Sequence, residues 1–262
     1  MFPLKDNIPT DRFPVVTVAI IVANVLVYFF WQRGGLVLGD PSSTHYLEQL
    51  IKFGAIPHEL VHGDHCGFKD SIADNPIVCR GPRYPPPSQD PSPYITPFTA
   101  MFMHGGLLHL GGNMLFLWIF GNNVEDAMGP ARFVVFYALA GLAALALQVA
   151  IDPNSTVPTL GASGAIAGVL GGYILLYPRA RVLTAIFIIF FFTLIEIPAL
   201  FVLGFWFVEQ VLFGAYDLSA PTGGGGGVAY FAHIGGFVFG LAAIKLFAQR
   251  VKQAPSARFP VY

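Results

Sequence analysis

The sequence predicts an all-α membrane protein with six membrane-spanning helices. The composition is 55% hydrophobic and only 11% charged, and the mean hydropathy is +0.63. Soluble domains carry about 25% charged residues. Several apolar runs of the chain reach the roughly 20 residues that a helix needs to cross a bilayer. The net charge of -1 gives no indication of a nucleic-acid partner.

Six apolar segments are predicted to span the membrane, with boundaries good to a few residues. They are Pro14–Trp31, Phe98–Phe120, Arg132–Ile151, Ala162–Tyr177, Ile197–Phe213 and Val228–Phe247. The first is apolar like a signal peptide, but its flank, Met1–Phe13, mixes acids with bases, and no small-residue cleavage site follows it. We therefore expect an uncleaved anchor.

The apolar run Val182–Phe213 is too long for one span and too short for two. As a single helix it would extend about 48 Å, whereas the hydrocarbon core is about 30 Å thick. Pro198 divides the run, so we expect one span after it and a segment Val182–Ile195 at the membrane interface or buried in protein. The Phe-rich and β-branched composition leaves helix or strand open for this segment.

The distribution of Lys and Arg predicts that both termini are cytoplasmic. The two short outer segments, Asp152–Gly161 and Gly214–Gly227, then contain no basic residue. The inner segments contain Lys5, Arg12, Arg132, Arg179, Arg181, Lys245, Arg250, Lys252 and Arg258. Residues 14–250 form one six-span domain, between a cytoplasmic segment at residues 1–13 and a cytoplasmic tail at residues 251–262. The long first loop, residues 32–97, lies outside.

The long outer loop contains the two cysteines of the chain, Cys66 and Cys79. An oxidising compartment would favour a disulfide between them. Free thiols are an alternative, and so is a zinc site with His62 and His65, although the spacing matches no strong zinc pattern. Elsewhere, the run Gly223–Gly227 predicts a flexible linker.

Five polar side chains are predicted to lie at one depth in the outer half of the membrane. His104, His109 and Asn113 are near the start of the second span, Ser163 begins the fourth, and His233 lies in the sixth. These three spans run in the same direction, so the five side chains share a level. Polar groups are costly in hydrocarbon unless they are satisfied, which favours a functional cluster.

Small residues line one face of both the fourth and the sixth span. They are Gly164, Gly168 and Gly172 in the fourth span and Gly236 and Gly240 in the sixth. Such residues let membrane helices approach closely. The contact would place His233 within hydrogen-bond reach of Ser163.

Ser163 and His233 then form a candidate catalytic pair. A serine hydroxyl is a weak nucleophile unless a base such as histidine accepts its proton. Ser163 begins a helix, where free N–H groups are available, and His109 and Asn113, which share one helix face, can add donors for an oxyanion. No carboxylate is near on these spans, which favours a dyad over a triad. Taken singly, each residue also fits a packing or structural role; the shared depth favours catalysis.

The chain resembles the rhomboid family of intramembrane serine proteases in four motifs. They are His104-Gly-Gly-Leu-Leu-His109-Leu-Gly-Gly-Asn113, Gly121-x-x-x-Glu125-x-x-x-Gly129, Gly161-Ala-Ser163-Gly164 and Ala232-His233-Ile-Gly-Gly236-x-x-x-Gly240. They occur in the order and spacing of the family. The resemblance covers roughly Phe98 to Phe247 and the first span.

The resemblance implies a rhomboid-like six-helix bundle with a water-filled cavity that opens outward. It implies Ser163 as the nucleophile and His233 as the general base. The oxyanion would be stabilised by Asn113, His109 and the backbone N–H of Ser163. The implied substrates are single-span membrane proteins whose helix unwinds near small or helix-breaking residues.

The resemblance also implies structural roles. His104 would have a structural or water-organising role in the cavity, and Glu125 would tie the inner loop to neighbouring backbone. Gly164, Gly236 and Gly240 would line the helix contact. No metal or cofactor is required. The compact spans and short loops indicate a prokaryotic cytoplasmic membrane.

Two positions depart from patterns known in the family. Some members carry Tyr one turn after the serine, packed against the imidazole, where this chain has Ala167, so His233 needs support from another group. A Trp-Arg pair of some members is replaced by Ile95 and Thr96.

The fifth span is bulky on several faces, with Phe201, Phe205, Trp206 and Phe213, which form a lateral gate or simply face lipid. Glu209 in this span is expected to face the bundle interior or water.

Two other functions are weaker: a catalytically inactive relative that binds membrane proteins, and a proton-coupled transporter or channel.

Overall fold

The computed structural model describes residues 2–36, 43–68, 77–80, 91–188, 191–219 and 228–252. Its helices are α1 (Val15–Leu26), α2 (Thr44–Phe53), α3 (Pro57–His62), α4 (Thr96–Thr99), α5 (Leu107–Phe116), α6 (Asn122–Met128), α7 (Pro130–Ile151), α8 (Ser163–Leu176), α9 (Ala199–Ser219) and α10 (Tyr230–Phe247). A π-helical turn at Val27–Trp31 extends α1, and another at Leu117–Gly121 joins α5 to α6. The run Gly223–Gly227, predicted to be a linker, lies outside the described residues.

Three helices of the described residues, α7, α9 and α10, are long and apolar enough to cross a membrane. Helix α1 with its π-helical turn, and α8, are apolar but shorter. The chain is therefore an integral membrane protein. The predicted first, third, fourth and sixth segments begin and end within two residues of helical segments. A total of six spans stays a prediction.

The second predicted span, Phe98–Phe120, has the wrong boundaries. The long helix in this part of the chain begins at Leu107 and continues through α5, the π-helical turn and α6 to Met128. A short helix, a 3-10 turn and a non-helical segment that ends in Gly105 and Gly106 precede it. Gly106, directly before the helix, has an extended backbone with φ 165° and ψ 170°, so the helix begins after it.

The chain is predominantly helical, but the prediction of an all-α fold is too narrow. The strands of the described residues are β1 (Phe2–Asp6), β2 (His65–Phe68), β3 (Ile77–Arg80), β4 (Arg181–Ile188) and β5 (Phe191–Pro198). Strands β1, β4 and β5 form an antiparallel sheet in that order, and β2 pairs with β3.

The described residues of the segment Val182–Ile195, left open between helix and strand, belong to β4 and β5, which pair antiparallel. Arg181 lies opposite Pro198. The β-branched and aromatic residues of the segment favour a pleated strand. Helix α9 begins directly after the proline and extends to Ser219, beyond the predicted end of the fifth span.

The first loop has secondary structure of its own. Its described residues include α2, α3 and the β2–β3 hairpin, in which Cys66 and Cys79 form a disulfide. The loop also contacts the segment before α8, where Ala55 and Thr159 exchange backbone hydrogen bonds of 3.1 and 2.8 Å. The disulfide-bonded loop therefore lies at the same end of the bundle as the N-terminus of α8.

Helix α8 lies in the centre of the bundle and packs against α7 and α10. Every residue from Gly164 to Ile174 is buried. A Cβ atom on Gly236 would collide with the backbone carbonyl of Gly164, and one on Gly240 would collide with that of Gly168. Glycine at these positions thus lets the backbones of α8 and α10 touch, which sets the distance between side chains on the two helices.

Glu125, on α6, caps the first turn of α1. Its carboxylate accepts hydrogen bonds from the backbone N–H groups of Val16 at 2.9 Å and Thr17 at 2.7 Å. It also accepts one from the Thr17 hydroxyl at 2.7 Å. A helix N-terminus has free N–H groups and attracts negative charge, so this buried carboxylate holds α1 against α6.

Candidate active site

Ser163 is the first residue of α8, and the turn before it requires glycine. Gly161 has a φ of +104°, a conformation that side chains with a Cβ rarely adopt. A Cβ atom there would also lie only 2.8 Å from Nε2 of His109. The chain therefore turns tightly beside α5, and the N–H groups at the start of α8 have no partner within the helix.

Ser163 and His233 are hydrogen-bonded to each other. Oγ of Ser163 lies 2.8 Å from Nε2 of His233, and both side chains are partly buried. The two residues are 70 positions apart and lie on α8 and α10, whose backbones touch at the small residues described above. A serine hydroxyl in this geometry can pass its proton to the imidazole.

Gln210, on α9, supports the other side of the imidazole. Its Oε1 lies 2.7 Å from Nδ1 of His233, and its side chain is buried. The ring of Trp206, one turn earlier, lies with its centroid 5.7 Å from that of His233. These two α9 side chains contact the imidazole. The chain has Ala167 at the position where some family members carry a tyrosine packed against it.

The sequence analysis did not identify Gln210. A polar side chain within an apolar span is a sufficient signal, but its charged neighbour Glu209 carries the same signal. Of the four bulky residues of this span, Phe201, Phe205 and Phe213 are largely exposed, whereas Trp206 faces the site.

His109 and Asn113 project from one face of α5 towards Gly161. Nδ1 of His109 accepts a hydrogen bond from the backbone N–H of Gly105 at 3.2 Å, which places the hydrogen of a neutral ring on Nε2. Nδ2 of Asn113 is buried, and none of the described residues accepts a hydrogen bond from it. A Cβ atom built on Gly161 would be 3.4 Å from that nitrogen. Two N–H donors therefore face the segment that enters Ser163.

His104 lies in the non-helical segment before α5 and is fully buried. Its backbone carbonyl accepts hydrogen bonds from Nε2 of Gln32 at 3.0 Å and from the hydroxyl of Tyr46, and its N–H donates to Oε1 of Gln32 at 3.1 Å. Its ring packs edge-on against that of His109, with centroids 5.2 Å apart. Gln32 and Tyr46, which the sequence analysis also missed, thus fix the residue that packs against His109.

A small, partly open cavity of about 30 Å³, roughly the space of one water molecule, borders Ser163. Its walls come from the first loop, the short helical segment at residues 96–102, α7, α8, α10 and the segment before α8. Small residues such as Gly141, Ala144 and Ala232 form much of them. The space left by these small residues beside the serine is enough for a water molecule.

The zinc alternative finds no support in the described residues. Cys66 and Cys79 are joined as a disulfide, which removes both thiolates as ligands. Nε2 of His62 is instead 3.0 Å from Oδ1 of Asn154. Within the described ranges, no three His, Cys, Asp or Glu side chains are grouped closely enough to hold a metal ion.

Comparison with known proteins identifies the family. Residues 92–250 match the Rhomboid domain. Over 148 residues, 54% of this chain and 38% of the relative, the sequence is 31% identical to Rhomboid protein 1, mitochondrial, of Saccharomyces cerevisiae. It is 38% identical over 90 residues to Rhomboid protease GluP of Bacillus subtilis, which covers 34% of this chain and 17% of that protein.

RHOMBOID-like protein 5 of Arabidopsis thaliana is 34% identical over 73 residues, 28% of this chain and 24% of that protein. The matched regions thus span well under half the length of these relatives. The match to the family domain nevertheless covers more than half of the present chain. This membrane protein belongs to the rhomboid family.

Proposed function

We propose that this protein is an intramembrane serine endopeptidase that cleaves transmembrane segments of single-span membrane proteins. The observation that carries the proposal is the 2.8 Å hydrogen bond between Ser163 and His233. The family membership and the relative named as a protease support the same reaction. In this proposal Ser163 is the nucleophile and His233 is the general base.

Acylation begins when Ser163 transfers its hydroxyl proton to Nε2 of His233 as Oγ attacks the carbonyl carbon of the scissile peptide. The new C–O bond forms while the carbonyl π bond opens, and negative charge collects on its oxygen. The imidazolium then gives the proton to the leaving nitrogen, and the C–N bond breaks. The product amine departs, and an ester to Ser163 remains.

Deacylation repeats these proton transfers with water as the nucleophile. Neutral His233 accepts a proton from water, whose oxygen attacks the ester carbonyl. The imidazolium then returns the proton to Oγ of Ser163, and the carboxylate product leaves. The enzyme regains its initial protonation state, so the cycle uses one water molecule and needs no metal or cofactor.

The oxyanion is stabilised by N–H groups from two elements. The proposed donors are the backbone N–H of Ser163, Nδ2 of Asn113 and Nε2 of His109. Support comes from the buried Asn113 nitrogen without a partner among the described residues, and from the hydrogen bond that Gly105 donates to the other nitrogen of His109. Donors already fixed at the position of developing charge need no reorganisation during the reaction.

The proposed membrane is a prokaryotic cytoplasmic membrane, with both termini in the cytoplasm. The disulfide between Cys66 and Cys79 supports an oxidising outer location for the first loop. That loop contacts the segment before α8 through Ala55 and Thr159, which also border the Ser163 cavity. An outer location of the loop therefore supports a cavity that opens outward. The proposed substrates are single-span proteins whose helix unwinds near small or helix-breaking residues.

A fluorophosphonate probe tests the proposed nucleophile without knowledge of the natural substrate. We expect covalent labelling of the purified protein in detergent, with the adduct located on Ser163 by peptide mass spectrometry. Labelling should be absent from Ser163→Ala and unchanged in a variant of an exposed serine, Ser219→Ala. A folded wild-type protein that is not labelled would favour an inactive, membrane-protein-binding relative instead.

A further inference from the structure

Gln210 contacts the one ring nitrogen of His233 that the Ser–His pair does not use. Oε1 of Gln210 is 2.7 Å from Nδ1 of His233, and its Nε2 donates to the backbone carbonyl of Trp206 at 3.2 Å. The second hydrogen bond identifies which end of the amide faces the imidazole. An amide oxygen only accepts hydrogen bonds, so Nδ1 of His233 carries the hydrogen in this pair.

This contact selects the useful tautomer of a neutral imidazole. With the hydrogen on Nδ1, the lone pair lies on Nε2, which is 2.8 Å from Oγ of Ser163. The other tautomer would direct an N–H at the hydroxyl and leave no acceptor for the serine proton. We propose that Gln210 is a positioning residue that holds His233 in the tautomer and orientation that accept the Ser163 proton. The role rests on the proposed protease function and extends it from a pair to a Ser–His–Gln array.

The three members of this array come from three different helices. Ser163 is on α8 and His233 on α10, which are joined closely through small residues, whereas Gln210 is on α9. Helix α9 is held against α10 near the site by the stacked rings of Phe207 and Phe237, with centroids 4.4 Å apart. Movement of α9 away from α10 would therefore separate the imidazole from its orienting group, so the competent site requires a docked α9.

The groups around His233 make a pH profile informative. Ser163 from α8 and Gln210 from α9 are neutral, as is Gln148 of α7, which accepts a hydrogen bond from the backbone N–H of Ala232. Among the described residues, His109 of α5 is the titratable side chain that interacts with His233 from another helix. Placing a carboxylate at position 210 would thus introduce a charge where the described residues have none in contact with the imidazole.

Two substitutions of Gln210 separate positioning from packing. The rate of Ser163 labelling by a fluorophosphonate is measured on the purified full chain between pH 5 and 9. Gln210→Leu keeps a side chain of similar size but removes the acceptor. It should slow labelling, by up to the roughly 10²–10⁴-fold that a correctly positioned general base contributes. Gln210→Glu restores an acceptor and adds charge, so labelling should recover at high pH. Its acid limb should move to higher pH, because a carboxylate stabilises the imidazolium.

The matched control is the neighbouring residue on the same helix. Glu209→Gln should leave both the labelling rate and the pH profile unchanged, and thermal unfolding in the same detergent reports whether each variant is folded. Wild-type labelling in folded Gln210→Leu would overturn the positioning role, and so would a Gln210→Glu profile with no shift. A wild-type protein not labelled on Ser163 would refute the proposed function itself and this role with it.

A disulfide between α9 and α10 tests whether the docked arrangement is the competent one. A Cβ atom on Gly214 would lie 3.4 Å from that of Tyr230, close to the Cβ separations of about 3.5–4.5 Å that disulfides use. Gly214→Cys combined with Tyr230→Cys should form the crosslink on oxidation and keep full Ser163 labelling. Labelling that is lost on oxidation and regained on reduction, while the wild type treated alike is unaffected, would contradict the requirement for docked α9.

Discussion

Nδ1 of His109 accepts a hydrogen bond from the backbone N–H of Gly105, 3.2 Å away. This contact leaves Nε2 of a neutral His109 as an N–H donor. A Cβ atom built on Gly161 would lie 2.8 Å from that nitrogen and 3.4 Å from Nδ2 of Asn113. The local turn before α5 thus prepares a donor for the segment that leads into Ser163.

Loss of either proposed oxyanion donor should reduce turnover without abolishing it. Asn113→Ala and His109→Ala should each lower kcat by about 10²–10³ with little change in KM, since such donors act mainly on the transition state. Steady-state cleavage of a single-span reporter measures both constants. The exposed Leu108 of the same helix provides a control, and Leu108→Ala should cleave normally. Losses as complete as that of His233→Ala would mean that the roles are wrongly assigned.

Replacing the cap on α1 should destabilise the fold. In Glu125→Gln an amide nitrogen would replace a carboxylate oxygen that now faces the N–H donors of Val16 and Thr17. A buried donor left without an acceptor costs about 1–3 kcal/mol. The free energy of unfolding in a mild detergent measures this loss. Glu48→Gln on α2, where the side chain is exposed, is the matched control and should be neutral.

Enlarging the contact between α8 and α10 should separate the proposed catalytic pair. In Gly236→Ala the new methyl group would collide with the backbone carbonyl of Gly164. We expect a loss of about 1–3 kcal/mol in stability and slower labelling of Ser163, because the helix that carries His233 must shift.

Gly204→Ala on α9 is the control for this substitution. Apart from its chain neighbours and the backbone of its own helical turns, no heavy atom of the described residues lies within 4 Å of the added carbon. The variant should therefore be about 0.4–1 kcal/mol more stable than the wild type. If Gly236→Ala had the same stability and labelling rate as the wild type, close backbone contact would not be what positions the histidine.

The buried carboxyl of Asp6 should make the free energy of unfolding depend on pH. Burial raises the pKa of Asp6 to about 6, although hydrogen bonds from Tyr173 at 2.6 Å and Asn123 at 2.7 Å favour the ionised form. Because the pKa of Asp6 is higher in the folded than in the unfolded protein, the protonated carboxyl stabilises the fold. This stabilisation is fully present below the unfolded pKa near 3.8 and is lost as pH rises through 6.

The wild type should therefore lose about 2–3 kcal/mol relative to Asp6→Asn between pH 4 and 7. The asparagine oxygen can still accept both hydrogen bonds, so its own profile should be flat in this range. Thermal unfolding of the two proteins at matched pH measures the difference. A difference that stays constant with pH would show that Asp6 has an ordinary pKa in the folded protein.

The sequence contained most of the information on helix positions, because long apolar runs are strong local signals. The proximity of Ser163 and His233 was predictable from two patterns. Polar residues lie at one depth, and small residues line the fourth and sixth spans. The start of α5 was misplaced because His104, Gly105 and Gly106 are too short an interruption to separate the apolar residues before and after them. Only the backbone geometry separates the short helix from the long one.

The residues that support the site were not found because their roles depend on tertiary contacts. Gln32 and Tyr46 lie far in sequence from His104, whose backbone they bind. Gln210 lies on a helix whose rotation about its axis decides whether Gln210 or Glu209 faces His233. Hydropathy is nearly the same for both choices, so composition could not separate them.

The central claim is that Ser163 and His233 hydrolyse peptide bonds within the membrane. Its most direct test is cleavage of a single-span reporter by the purified protein in proteoliposomes, with wild type, Ser163→Ala and His233→Ala compared at equal amounts of folded protein. We expect cleavage by the wild type and none by either variant. Cleavage by Ser163→Ala at the wild-type rate would contradict it.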